Sequence, residues 1–139
     1  MKIRLTLLLF SIGFIAQSCG DVKTTCDPIA TTGATITKAS LSSIQTTVFD
    51  KQCATAGCHD VGGDSPLLTA GKSYAELING TSQNNGSLLV KANDPLQSYL
   101  MVKILNSDNS GLMPKGGSKL PQNVIDSISA WIAKGAPND

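Results

Sequence analysis

Residues 53–59 read "CATAGCH" and hold two of the chain's four cysteines together with its only histidine. His59 follows Cys58 directly, and the four residues between the cysteines are small: Ala54, Thr55, Ala56 and Gly57. Three chemistries suit such a stretch: a disulfide closing a short loop, a metal site, or a covalent haem site stretched by two residues from the usual Cys-x-x-Cys-His. Each would fix seven consecutive residues more tightly than any hydrophobic pattern could. The compartment in which the chain ends up narrows the choice.

The first residues, "MKIRL", set Lys2 and Arg4 ahead of the apolar run "LTLLLFSIGFIA", which is short for a membrane span and reads as an export signal over 1–18. "IAQSC" resembles the lipobox of bacterial lipoproteins, and that resemblance implies cleavage before Cys19 and a lipid on its sulfur; the alternatives are an ordinary signal peptide or an uncleaved anchor. All three put the mature chain outside the cytoplasm, on the periplasmic or cell-surface side, where thiols end in disulfides, lipids, metals or thioethers. Residues 19–38 are rich in threonine and poor in large apolar side chains, so they read as a tether between a lipid anchor and a domain over 39–139. Cys26 lies in that tether and reads as an unpaired thiol. Without residues 1–18 the chain keeps nine basic and ten acidic residues, a net charge of −1 that carries no nucleic-acid footprint.

Helical spacing dominates the domain. Ser40 is a candidate cap for a helix with Leu41, Ile44, Val48 and Phe49 on one face, leading into Cys53. "KSYAELIN" predicts a short helix stopped at Asn79-Gly80. Asp94 and Pro95 suit the first turn of a helix whose stripe is Leu96, Tyr99, Leu100 and Ile104. Pro121 opens a last helix with Val124, Ile125, Ile128, Trp131 and Ile132 on one face and Lys134-Gly135 at its close. No run alternates well enough for a sheet, so the expected class is all α with long irregular loops. A domain of roughly a hundred residues is small enough that a buried cofactor would help its stability, and its loops are long enough to wrap one.

Haem attachment needs two thiols for the vinyl groups and an imidazole for the iron, and "CATAGCH" can supply all three from one turn of chain. The small residues 54–57 could bulge outward, and Gly57 permits a tight approach. With "VFDKQCATAGCHD" after a helix, "NDPLQSYLMVKI" as a middle helix, "LMPKGG" as a glycine-flanked Met-Pro loop and "VIDSISAWIAKGAPND" as a closing helix, the chain resembles bacterial single-haem c-type cytochrome domains with a stretched Cys-x4-Cys-His site. The resemblance covers about 42–138. It implies a cytochrome c-like helical domain wrapped around one covalent haem c, with thioethers to Cys53 and Cys58, His59 as proximal ligand and Met113 as sixth ligand, Met101 being the competitor. The implied function is electron transfer to or from a redox partner protein, with no open iron position for catalysis. Phe49, Tyr99 and Trp131 read as core, with Tyr99 or Trp131 alternatively bonding a haem propionate. Lys91, Lys103, Lys115 and Lys119 are candidates to ring an exposed haem edge.

Two rival readings use the same residues. One is a haemless lipoprotein with a Cys53–Cys58 disulfide, serving as a structural or interaction module. The other is a zinc site of Cys53, Cys58 and His59 with Asp60 or Asp64.

Overall fold

The computed structural model describes residues 38–139. The expected signal peptide 1–18, the expected lipidation site Cys19, Cys26 and all of the expected tether but Lys38 lie outside the described residues. Among those described, the chain is all α, its only sheet-like pairing being an isolated bridge between Thr81 and Leu88. No helix among them is long and apolar enough to cross a membrane.

The first helix, α1 (Leu41–Ile44), continues without interruption as a π-helical run, Gln45–Cys53. Ser40 caps it as expected, its Oγ accepting the Ser43 N–H at 3.3 Å. Two further donors at that end are taken by Asp139, whose Oδ1 accepts from Leu41 N at 2.9 Å and whose main-chain oxygen accepts from Ser42 N at 2.8 Å. Wider i→i+5 turns put residues four and five apart on one face. That face carries Ile44, Val48 and Phe49, all essentially solvent-free, and Cys53 packs partly buried against the same core.

Helix α2 (Ser73–Asn79) stops at Gly80 as the sequence suggests, and the position has room for glycine alone. Gly80 has φ −83°, open to any residue, but a Cβ there would run into the Glu76 carbonyl and the Leu89 side chain.

The expected helix from Asp94 is divided. Asp94 does cap Pro95–Gln97, a single 3-10 turn, accepting the Gln97 N–H at 3.2 Å. Ser98 then takes an extended conformation, donates to Asp94 O at 2.9 Å and accepts from Lys91 N at 2.9 Å, so that α3 (Tyr99–Leu105) starts in a new phase. This break corrects the expected stripe: Leu96 is 88% exposed, while Tyr99, Met101 and Ile104 face the core.

The closing helix, α4 (Gln122–Ala133), buries Val124, Ile125, Ile128, Trp131 and Ile132 as its spacing predicts. It ends in a Schellman motif: Gly135, at φ +95°, donates to Ile132 O at 2.9 Å and Ala136 N donates to Trp131 O at 3.0 Å. Packed on α1 and α3, α4 is the centre of the core. Trp131 is fully buried, and its Nε1–H donates to Pro137 O at 2.9 Å. Burial of each such side chain contributes roughly 1.5–3 kcal/mol.

Asp139→Ala removes the side-chain acceptor from the start of α1. Loss of a cap costs about 1 kcal/mol, so thermal unfolding should show a midpoint about 4–8 °C lower; an unchanged midpoint would mean that water replaces this cap without penalty.

Candidate functional site

The π-helical run delivers Cys53 at its end, and backbone bonds fold the following residues back onto it. Ala54 N donates to Phe49 O at 2.7 Å, Cys58 N to Thr55 O at 2.8 Å and His59 N to Cys53 O at 3.0 Å. Gly57 sits at φ +76° with its N–H donated to Asp60 Oδ1 at 3.1 Å, so Asp60 works as a turn-forming residue. Thr55, Ala56 and Gly57 are exposed.

Beyond His59 the chain makes a loop closed by Leu68 N donating to His59 O at 2.8 Å. Inside it, His59 Nδ1 lies 3.1 Å from Asp64 O and 2.9 Å from Pro66 O. Carbonyl oxygens only accept, so Nδ1 carries a proton, shared between the two, and in the neutral ring the lone pair is then on Nε2. The second of the paired glycines, Gly63, is required here, because a Cβ would clash with the Cys58 carbonyl oxygen and approach Asp60 Oδ1 to 2.7 Å.

Cys53 and Cys58 are free thiols in different surroundings, Cys53 partly buried and Cys58 exposed. Burial, and next the neighbouring Cys58, push the Cys53 thiol up from 9.0 to about 11. It is a neutral S–H at neutral pH.

Met113 is half-buried on a separate loop, its N–H donated to Lys103 O at 3.0 Å, which fastens the Met-Pro segment to α3. Cys53, Cys58 and His59 are thus drawn together by local backbone bonds; no hydrogen bond among the described residues joins Met113 to them. The competitor Met101 is 6% exposed within the core of α3. An open groove of about 330 Å³ between the Pro95–Gln97 turn, α3 and α4 is lined by Leu96, Met101, Leu105 and Ile125, and by none of Cys53, Cys58, His59 or Met113.

Several readings change on this geometry. Among the described residues no group of three or more His, Cys, Asp or Glu side chains comes together that could hold a metal ion. Asp64 meets His59 through its main-chain carbonyl. Trp131 spends its N–H on Pro137 O, while Tyr99, buried in the core, accepts from Asn84 Nδ2 at 3.3 Å through Oη and keeps its own O–H. Of the four lysines, Lys91 pairs with Asp94 at 2.9 Å and Lys103 donates to Ser110 O and Oγ at 3.0 Å each, whereas Lys115 and Lys119 are exposed.

The sequence reading passed over Gln45, Gly63 and the carbonyls of Asp64 and Pro66. Main-chain acceptors leave no mark in a sequence, but Gln45 does: it is an amide between Ile44 and Val48 at the start of an apolar face. Comparison of the chain with protein-family models, curated proteins and solved structures gives no match.

Two outcomes follow from this geometry. Haem-free protein should lose stability as pH rises from about 9 to about 11, because the unfolded Cys53 thiol ionises first and the folded one resists. The contribution is about 2–3 kcal/mol, present below pH 9 and absent above 11, and denaturant titrations of Cys53→Ala should show a shallower alkaline decline than the parent. Gly63→Ala should displace the Cys58–His59 backbone, seen as altered amide shifts across 57–68 with α4 unchanged; shifts confined to the substituted residue would show that the loop has room.

Proposed function

We propose that this protein is an extracytoplasmic electron carrier: a monohaem c-type cytochrome domain of cytochrome c-like helical fold, held to a membrane by a lipid on Cys19. Cys53 and Cys58 would hold the haem through thioethers, each formed by addition of S–H across a vinyl group, and His59 would bind the iron through Nε2. Met113 is the proposed sixth ligand.

The observation that carries this reading is the proton on His59 Nδ1, donated to the carbonyls of Asp64 and Pro66. A metal-binding histidine ordinarily gives its other N–H to such an acceptor, which fixes the ring and makes the free nitrogen more basic. That nitrogen belongs to the residue next to an exposed free thiol, with a second free thiol one backbone bond away. A porphyrin brings four nitrogens of its own, so two axial side chains are enough and no three-residue cage is needed.

Bound haem would supply one-electron chemistry at the iron. The chain's share is to orient the imidazole and to keep water from the ring. A thioether at the sixth position favours ferrous iron and raises the potential relative to a second histidine. Exposed Lys115 and Lys119 follow Met113-Pro114 and, with Lys91 and Lys103, are the candidates to steer a redox partner.

Visible spectra of purified protein, from an exporting host with a cytochrome c maturation system, test the proposal alongside a denaturing gel stained for haem. Sharp reduced α and β bands, with haem retained on the denatured chain, are expected. The double substitution Cys53→Ser with Cys58→Ser should abolish retention, and Met113→Ala should keep the haem while losing the low-spin methionine signature. A colourless product, from cells that mature a control cytochrome, would overturn the proposal and leave the disulfide as the reading to pursue.

A further inference from the structure

Gln45 is buried, 7% exposed, and two of its three polar bonds leave the π-helical run. Its Nε2 donates to Leu68 O at 2.8 Å and to Asp50 Oδ1 at 2.6 Å, and its Oε1 accepts the Ser73 hydroxyl at 2.5 Å. Leu68 O and the Asp50 carboxylate only accept, so the amide can face only one way. One side chain therefore binds the π-helical run to the end of the 59–68 loop and to the first residue of α2.

Leu68 is the point that matters. Its carbonyl is held by Gln45 and its N–H is held by His59 O at 2.8 Å, so the peptides on its two sides are clamped between the helix and the histidine. The eight residues between His59 and Leu68 include Asp64 and Pro66, whose carbonyls take the Nδ1 proton. Apart from the buried Leu68 at its end, that loop has exposed or half-buried side chains, so little apolar packing holds it in place.

We infer that Gln45 is a positioning residue for the His59 imidazole: by anchoring Leu68 it holds the Asp64 and Pro66 carbonyls where they fix the ring's proton on Nδ1. Ser73, buried at the start of α2, is the outer member of the same relay. The role of the ring as an iron ligand rests on the haem reading; the anchoring does not.

The test measures solvent exchange of the His59 Nδ1 proton by NMR in the full chain as purified, with the reduced form used where haem is present. Gln45→Met keeps the length of the side chain and loses its three bonds. Exchange should quicken by about tenfold, the equivalent of about one net hydrogen bond, beyond any change in an Ile128→Val variant compared at equal distance below its melting temperature. Equal acceleration in the two variants would reduce Gln45 to general stability and overturn the inference, as would a Nδ1 proton unprotected in the parent chain. Should Gln45→Met fail to fold, Ser73→Ala reads the same bond with a smaller shift of the same sign. In haem-loaded protein the reduction potential should also rise in Gln45→Met and stay constant in Ile128→Val, since a weaker Nδ1–H donation makes a less basic ligand. Protein without haem would sink the functional proposal alone, leaving the exchange comparison to decide the role of Gln45.

Discussion

The rest of the described domain depends on the packing of α1 against α4 and on the core that the π-helical continuation shares with them. Ile44, Val48 and Phe49 on one side, with Val124, Ile128, Trp131 and Ile132 on the other, are nearly or wholly removed from water and form the centre of a single core. In a domain of this size few other contacts could substitute, since a short chain buries a smaller fraction of its surface. Asp139 reinforces the pairing at the start of α1, and the Lys134 ammonium donates to Ala39 O from the far end of α4. Every buried side-chain nitrogen and oxygen among the described residues has a partner, so the core carries no unpaired polar burden.

That packing decides where the cysteine motif leaves the core. With Phe49 and Val48 seated, Cys53 emerges half-buried at the edge, and the following bulge turns outward because Gly57 can take positive φ and Asp60 can close the turn. The chain returns at His59, bound to Cys53 O, and continues into a loop whose carbonyls define the histidine tautomer. Gly63 permits the close passage over Cys58, and Gln45 ties the end of the loop to the helix. Local turn chemistry forms the motif; a buried amide 14 residues before His59 holds it in register.

Much of the helical pattern was legible because periodic burial leaves a periodic sequence. Val124, Ile125, Ile128, Trp131 and Ile132 appear at helical spacing and are all buried, and Gly135 ends the helix with the conformation that glycine favours. The reading failed at Leu96, where Ser98 hydrogen bonds break the helix and reset its phase, an event that hydrophobic spacing cannot register. Nor does spacing register the pairing of Lys91 with Asp94, or the 106–111 turn that brings Ser110 to Lys103.

The sequence by itself determined the helical class, the last helix with its glycine stop, and the placement along the chain of the residues that the proposed haem chemistry draws on: Cys53, Cys58, His59 and Met113. Those properties depend on side-chain identity and spacing along the chain, which the sequence states outright. Only the tertiary structure decided which His59 nitrogen carries the proton, that Asp64 acts through its backbone, and that Gln45 reaches the loop. Each of these is a hydrogen bond to a main-chain carbonyl. Every residue has one, and folding alone selects which of them meets a given side chain.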